Sequence, residues 1–279
     1  MISSELRAYL HEFAANDQAK MVVLTGAGIS AESGIPTFRG KEGYWKIGSV
    51  NYQPQEIGTM KMFKQNPQEV WKWYLFRHTV CNNSQPNPGH YAVAEMEKIL
   101  GGKRFTLVTQ NVDGLHFRAG STFKNTLLIH GDLTHVRCSK DSCDTELLPF
   151  PEGIAPKTRE SAISLEEWER LRCPSCGALT RPHVLWFDEY YNEKYYKYET
   201  ALHKNREADL LIVVGTSGAT NLPNKMYYNA LNNNKQIVVV NLDSSIFSRT
   251  LEANQTGHVL LGKSGEILPE ILAAIKDTI

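Results

Sequence analysis

Six short apolar runs punctuate the chain, at residues 21–25, 106–109, 126–129, 210–214, 237–241 and 258–261. They are rich in valine, isoleucine, leucine and threonine and show little in-out alternation, the pattern of strands covered on both faces. Between them, apolar positions recur at helical spacing over 4–15, 67–80, 89–100, 193–206, 223–231 and 266–277. Strand and helix taking turns in this way predicts an α/β fold: a Rossmann-like, doubly wound parallel sheet with helices on both faces. Two segments break the rhythm. Residues 138–176 are polar and proline-rich with a cysteine pair at each end, and are expected to form a smaller inserted zinc-ribbon module. Residues 40–58 are rich in glycine and polar residues, and are expected to form a mobile loop. The expectation is one domain over 1–279, with the Rossmann-like part at about 1–40, 101–137 and 177–279, a small helical and loop part at about 41–100, and the zinc module at about 138–176.

Composition narrows the partners. Thirty Lys and Arg balance thirty Asp and Glu, so no global field attracts a polyanion, and no nucleic-acid partner is expected. No stretch is apolar for the eighteen or so residues of a membrane span, and the segment MISSELRAYLHEF has neither a signal core nor a transit-peptide composition. A soluble, cytoplasmic, monomeric protein without a membrane partner is expected. Four of the five cysteines fall in two close pairs. Cys138 and Cys143 have four residues between them, Cys173 and Cys176 have two, and 29 residues separate the pairs. Such pairs fold four thiolates toward one point, giving a closed tetrahedral zinc site with no open position for a substrate water. That is structural zinc. Cys81 stands apart and reads as a buried, inert thiol.

The candidate chemistry begins where the first strand runs into Gly26-Ala27-Gly28-Ile29-Ser30. Small residues there let the backbone approach a pyrophosphate, with a following helix N-terminus to receive it. The longer string GAGISAESGIPTFRG is followed in order by Thr109-Gln110-Asn111-Val112-Asp113-Gly114-Leu115-His116, His130-Gly131, the cysteine pairs, Arg181-Pro182-His183-Val184, Gly215-Thr216-Ser217 and Asn241-Leu242-Asp243. This ordered set resembles the signatures of the sirtuin family over almost the whole chain.

The resemblance implies an NAD-dependent protein-lysine deacylase that acts on acylated lysine side chains of proteins and releases nicotinamide and O-acyl-ADP-ribose. It implies that His130 is the general base and that Asn111 orients the ribose and a water. Asp113 and Ser30, with the backbone near Ile29, would receive the carboxamide. Phe38 would cover the reacting carbon, and Arg39 would position phosphate or ribose. Gln110 lies among these groups. Gly215, Thr216 and Ser217 resemble a second phosphate and ribose site, Asn241 and Asp243 a site for the adenosine ribose, and Ser264 a contact to adenine. Thr216, Ser217 and Asn241 are equally residue types that form turns or cap helices. An NAD-consuming ADP-ribosyltransferase or NAD glycohydrolase on the same fold is the alternative, against which the retention of His130 argues. A zinc-stabilised module that binds acylated tails without turnover is a third reading.

Tyr74 and Arg77 lie three apart on one helix, so they share a face. Within the resemblance, a Tyr and an Arg at this spacing mark the class that removes acidic acyl groups, where they hold the distal carboxylate. They would also serve as a packing tyrosine and a surface arginine. Lys41, Asp188 and the late Pro223 depart from the family pattern. The last two fall where family members pair with an extended substrate peptide, alongside Val184, so unusual substrate docking is expected.

Overall fold

The computed structural model describes residues 2–36 and 45–278. Phe38, Arg39 and Lys41, all singled out above, lie outside the described residues.

Six parallel strands form the main sheet in the spatial order His258–Leu261, Gln236–Asn241, Leu210–Val214, Met21–Thr25, Phe105–Thr109, Thr126–Leu128. These are the six runs anticipated from the sequence, each within a residue or so at its ends. The order reverses between Met21–Thr25 and Leu210–Val214, which makes this pair the topological switch point where such sheets bind ligands.

The uninterrupted apolar runs are explained by two cores, one on each face. Met21, Val23, Leu210, Ile212, Val214, Val238 and Val240 pack against helices Ser4–Ala15, Pro88–Leu100 and Ser264–Lys276. Their strand neighbours Val22, Leu24, Leu211, Val213, Ile237 and Val239 pack against Tyr198–Glu207, Asn221–Asn232 and Ile246–Asn254. The period-2 alternation of side chains is present, but both faces are apolar, so the sequence reads as a continuous run.

A third core joins helix Pro67–Asn83 to an antiparallel sheet of Leu148–Pro149, Gly131–Cys138 and Thr180–Val184, through Trp71, Trp73, Tyr74, Leu133, Val136, Val184 and Trp186. Polar and proline residues hide these short strands from a periodicity reading.

Three expectations are corrected. The 40–58 segment is not a bare loop. Its described part carries the hairpin Trp45–Ile47 and Val50–Tyr52, then helix Pro54–Ile57 with a reciprocal Gln53/Glu56 capping box. The 193–206 helix is two helices, Glu193–Tyr196 and Tyr198–Glu207, broken by Lys197 at φ +51°. The glycine-rich turn leads into the 3-10 segment Ala27–Ser33 rather than an α-helix, a tighter winding that needs no long amphipathic pattern. Among the described residues, no helix is long and apolar enough to cross a membrane.

Candidate functional site

At the switch point the turns that leave two neighbouring strands cross in contact. Gly28 N–H donates to the Gly215 carbonyl at 2.8 Å, while Gly26 and Gly215 donate to Val214 and Val240 at 2.9 Å each. A Cβ on Gly28 would lie 2.6 Å from Gly215 Cα, and Gly215 has φ +61°. Only glycine satisfies both demands at Gly215. Because the Gly28 N–H is committed to Gly215, it serves the fold of the turn rather than an incoming anion.

The crossing floors a cavity of about 1000 Å³. Ala27, Gly28, Gly215, Thr216 and Ser217 line one end, with Asn241, Asp243 and Ser264 beyond them. Gln110, Asn111 and His130 line the middle, and Val184, Trp186, Tyr74 and Arg77 the far end. Residues from widely separated parts of the sequence, grouped by motif order alone, thus line one continuous space.

Gly26, Ile29, Ser30 and Asp113 do not line it, and form the layer behind. Ser30 Oγ donates to Asp113 Oδ2 at 2.7 Å and accepts from Asn111 Nδ2 at 3.1 Å; Asp113 Oδ1 accepts from Leu115 N–H at 2.9 Å. Burial pushes the Asp113 carboxyl above its ordinary range, against the pull of these donors and of Arg118 and Arg77. Beneath lie two buried histidines, His90, 3.3 Å from Ser30 Oγ, and His116, 3.0 Å from Thr25 Oγ1. Desolvation keeps both neutral, with His90 pushed down to about 4. This layer fixes Asn111 by polar contacts, which favours one orientation of its amide.

Toward the other turn, Gln110 Nε2 donates to Thr216 Oγ1 at 3.0 Å, and Asn241 Nδ2 donates to the Thr216 carbonyl at 3.1 Å. Ser264 Oγ donates to Glu32 Oε1 at 3.1 Å, as does Gly265 N–H at 2.9 Å. Glu32 thereby caps helix Ser264–Lys276 from the neighbouring 3-10 segment, an anchor that the sequence reading did not identify.

At the far end Tyr74 and Arg77 are both buried, so Arg77 is not a surface residue. Tyr74 Oη accepts from the Trp186 indole N–H at 2.9 Å. Burial pushes the Tyr74 phenol above its ordinary pKa, so it retains its proton. An indole only donates, so Tyr74 keeps its own O–H to give into the cavity. The Arg77 guanidinium lies 5.7 Å from the centre of the Trp73 ring. Desolvation lowers its pKa, opposed by Cys81, Tyr74 and Asp113. Behind Trp186, the buried Arg181 stacks on the indole at 3.4 Å, donates to Val184 O at 2.8 Å and pairs with Glu189.

The unusual Asp188 has a structural task. It accepts from the backbone N–H of Met60 at 2.8 Å and Lys61 at 3.0 Å, capping helix Met60–Gln65 from outside. Phe187 N–H donates to Gly58 O at 3.0 Å, so the segment beside Val184 is latched to the small helical part. Pro223 falls in the first turn of helix Asn221–Asn232, where a missing N–H costs nothing.

The four cysteines converge as the spacing predicts. Their sulfurs lie within 4.8 Å of one another, with Cys138 and Cys176 at 3.5 Å and Cys143 and Cys173 at 3.8 Å. Four sulfurs at ~2.3 Å from a central zinc stand ~3.8 Å apart, so the donor set and its dimensions fit a closed tetrahedral ion.

The Sir2 family model matches residues 26–221, most of the chain and all of the region from the glycine-rich turn through the cysteine cluster. The chain belongs to the Sir2 family. Its relatives include an NAD-dependent protein deacylase of Leptospira interrogans, 37% identical over 264 residues, covering 92% of this chain and 94% of the relative. One of Pyrococcus furiosus is 38% identical, covering 91% and 92%. The mitochondrial NAD-dependent protein deacylase sirtuin-5 of Danio rerio is 40% identical over 227 residues, covering 77% of this chain and 70% of the relative. Among solved structures, a Sir2 homologue in complex with NAD superposes with a TM-score of 0.80 at 32% identity, covering 99% of this chain and 95% of that one.

Tyr191, Thr220, Trp186 and Glu32 also line the cavity of this Sir2-family chain, and sequence reasoning gave them no role. Their functions depend on which side chains meet across loops, and no spacing signals that. The aromatic pair Tyr190-Tyr191, directly after the Arg181–Glu189 segment, was the one available hint.

Proposed function

We propose that this chain is an NAD-dependent protein-lysine deacylase that acts on acylated lysine side chains and releases nicotinamide and O-acyl-ADP-ribose, with structural zinc held by Cys138, Cys143, Cys173 and Cys176. One observation carries the reading: a single cavity runs from the crossed glycine turns, past His130, to the Tyr74 and Arg77 pair. A dinucleotide and an acyl chain entering from opposite ends would meet beside His130, the one imidazole among the described residues that line this space. The names of the relatives support the same reaction class.

NAD, when bound, supplies an electrophilic ribose carbon and a departing nicotinamide. The protein's part is to bind, orient and move a proton. Ala27 and Gly28 at the cavity wall, held in shape by Gly26 and Ile29 behind them, and the Gly215-Thr216-Ser217 turn receive the phosphates and ribose, with Asn241, Asp243 and Ser264 toward the adenosine. Ser30 and Asp113 act from the layer behind, through the Asn111 amide and the carboxamide end of the site, and Gln110 joins the two turns. Asn111 orients the ribose and a water. Phe38 and Arg39 complete the site in the same proposal. His130 is the general base: burial pushes its pKa down to about 4, so at neutral pH the ring is uncharged and able to accept a proton.

The acyl group enters between Val184, Trp186, Tyr74 and Arg77. A charged guanidinium and the O–H donor of Tyr74, beside Val184 and Trp186 and with the neighbouring Glu189 carboxylate already paired to Arg181, favour an acyl chain that ends in a carboxylate, such as succinyl or glutaryl.

His130→Ala tests the assignment. A general base contributes ~100-fold to 10,000-fold, so free lysine formation should fall by that factor while the protein still folds and binds NAD. Deacylation at the wild-type rate would remove His130 from the mechanism. Undiminished NAD consumption without lysine product would point to a transferase or glycohydrolase.

A further inference from the structure

His130 Nε2 is already engaged: the hydroxyl of Tyr191 lies 2.7 Å away, and the two ring centres are 5.8 Å apart. On its other side the ring bonds to the backbone of Gln110, an interaction that favours the protonated imidazole. Only a carbonyl does that, so the nitrogen facing Gln110 carries hydrogen. In a neutral imidazole the remaining nitrogen, Nε2, then holds the lone pair. Tyr191 must therefore be the donor in the bond between them.

The Tyr191 hydroxyl has other company. It meets the Thr220 hydroxyl and the Leu222 backbone N–H in the first turn of helix Asn221–Asn232, and Thr220 Oγ1 donates to Gln110 Oε1 at 3.0 Å. Burial pushes the Tyr191 phenol up to about 12, so it stays a donor at working pH. Its ring is tilted against Tyr198 at 6.0 Å, which holds the hydroxyl in place.

We propose that Tyr191 is the positioning residue for His130: its O–H selects the imidazole nitrogen that bears the lone pair and occupies, in the free protein, the seat that a ribose hydroxyl must take to deliver its proton. The identity of that hydroxyl rests on the deacylase reading; the hydrogen bond does not. When the ribose hydroxyl takes the seat, it replaces one O–H donor with another; Tyr191 keeps the Leu222 N–H and turns its freed O–H to the Thr220 oxygen. No bond to carbon is made or broken in the exchange. Donation to a neutral base disfavours its protonation, so in the free protein Tyr191 keeps the His130 ring neutral and its lone pair directed at the seat. Among the described residues, Tyr191 is the titratable group in contact with the ring; the Gln110 backbone, Thr220 and Leu222 around it are neutral.

The test is Tyr191→Phe, which removes the hydroxyl and keeps the ring packed on Tyr198. His130 is titrated in the free protein by NMR of its imidazole, and the acid limb of kcat/KM is followed with an acyl-lysine peptide. Losing one hydrogen bond to the neutral ring should raise the His130 midpoint by about one half to one pH unit, with the acid limb moving the same way. Tyr191→Leu, which lacks the ring as well, should show the same raised midpoint. Identical titration in wild type and both variants would overturn the proposal. A raised midpoint in protein that deacylates nothing would uphold the hydrogen bond and sink the deacylase reading instead.

Discussion

Replacing Gly215 by alanine probes the crossing of the two turns. The new Cβ would collide with Ile29 N and lie 2.7 Å from Gly28 C and 2.8 Å from Gly28 Cα. Ordinary carbon contacts are ~3.5–4.0 Å, so the turns must part by about 1 Å. The left-handed conformation at φ +61° costs alanine ~1–2 kcal/mol, and forcing rigid backbone apart costs ~1–3 kcal/mol. The sum is ~2–5 kcal/mol. At ~2–4 °C per kcal/mol for a chain of this size, the Tm should fall by roughly 4–20 °C. Gly34 is the control: its φ is +80°, yet a Cβ there meets nothing within 4 Å, so Gly34→Ala carries only the conformational cost. Thermal melts with and without NAD read both effects. At NAD 100-fold above Kd, the wild type should gain ~2.7 kcal/mol, and Gly215→Ala should lose most of that gain because its cradle has opened. If Gly215→Ala melts like Gly34→Ala and is protected equally by NAD, the crossing is not what shapes the site.

Arg77→Met should reduce desuccinylation by about 30-fold or more, since truncating one partner of a buried charged pair costs ~2–5 kcal/mol, while deacetylation changes little; equal loss of both would make Arg77 a packing residue. Cys173→Ala should release zinc and lower the Tm, because the three remaining sulfurs lose the ion that holds them together; full metal content with normal melting, read by elemental analysis and calorimetry, would reject the zinc site. Stability should fall on acidification. The unfolded chain protonates His90 near 6.5 and the folded chain only near about 4, so the unfolded state binds more protons between those values. The contribution is complete above about pH 6.5 and declines toward about 4, by up to ~1.4 kcal/mol per pH unit for a fully buried histidine. His135, raised by Asp132, works in the opposite sense. Melts across this range should shift less in His90→Asn, and an unchanged slope would show that His90 is not the group responsible.

The main sheet was legible because its strands are buried on both faces, leaving runs such as Leu210–Val214 with no polar residue. The cysteine cluster was legible because metal ligands come in short fixed spacings. The strands Gly131–Cys138 and Thr180–Val184 were not, since they mix His, Arg and Pro with apolar residues and owe their burial to helix Pro67–Asn83. The break at Lys197 was hidden because a single left-handed residue leaves the helical spacing almost intact. Tyr74 and Arg77 could be placed on one helix face by counting. That Tyr74 has its acceptor side taken by Trp186, 112 residues away, could not be counted. The same holds for Asp188, whose partners Met60 and Lys61 are more than 120 residues distant, and for Tyr191 on His130.

The most direct measurement incubates the protein with NAD and one peptide carrying acetyl-, succinyl- or glutaryl-lysine, and follows nicotinamide, O-acyl-ADP-ribose and free lysine by mass spectrometry. The account predicts all three products in equal amounts, only when NAD is present, and fastest with the acidic acyl groups. Nicotinamide released without free lysine, from every peptide, would contradict it.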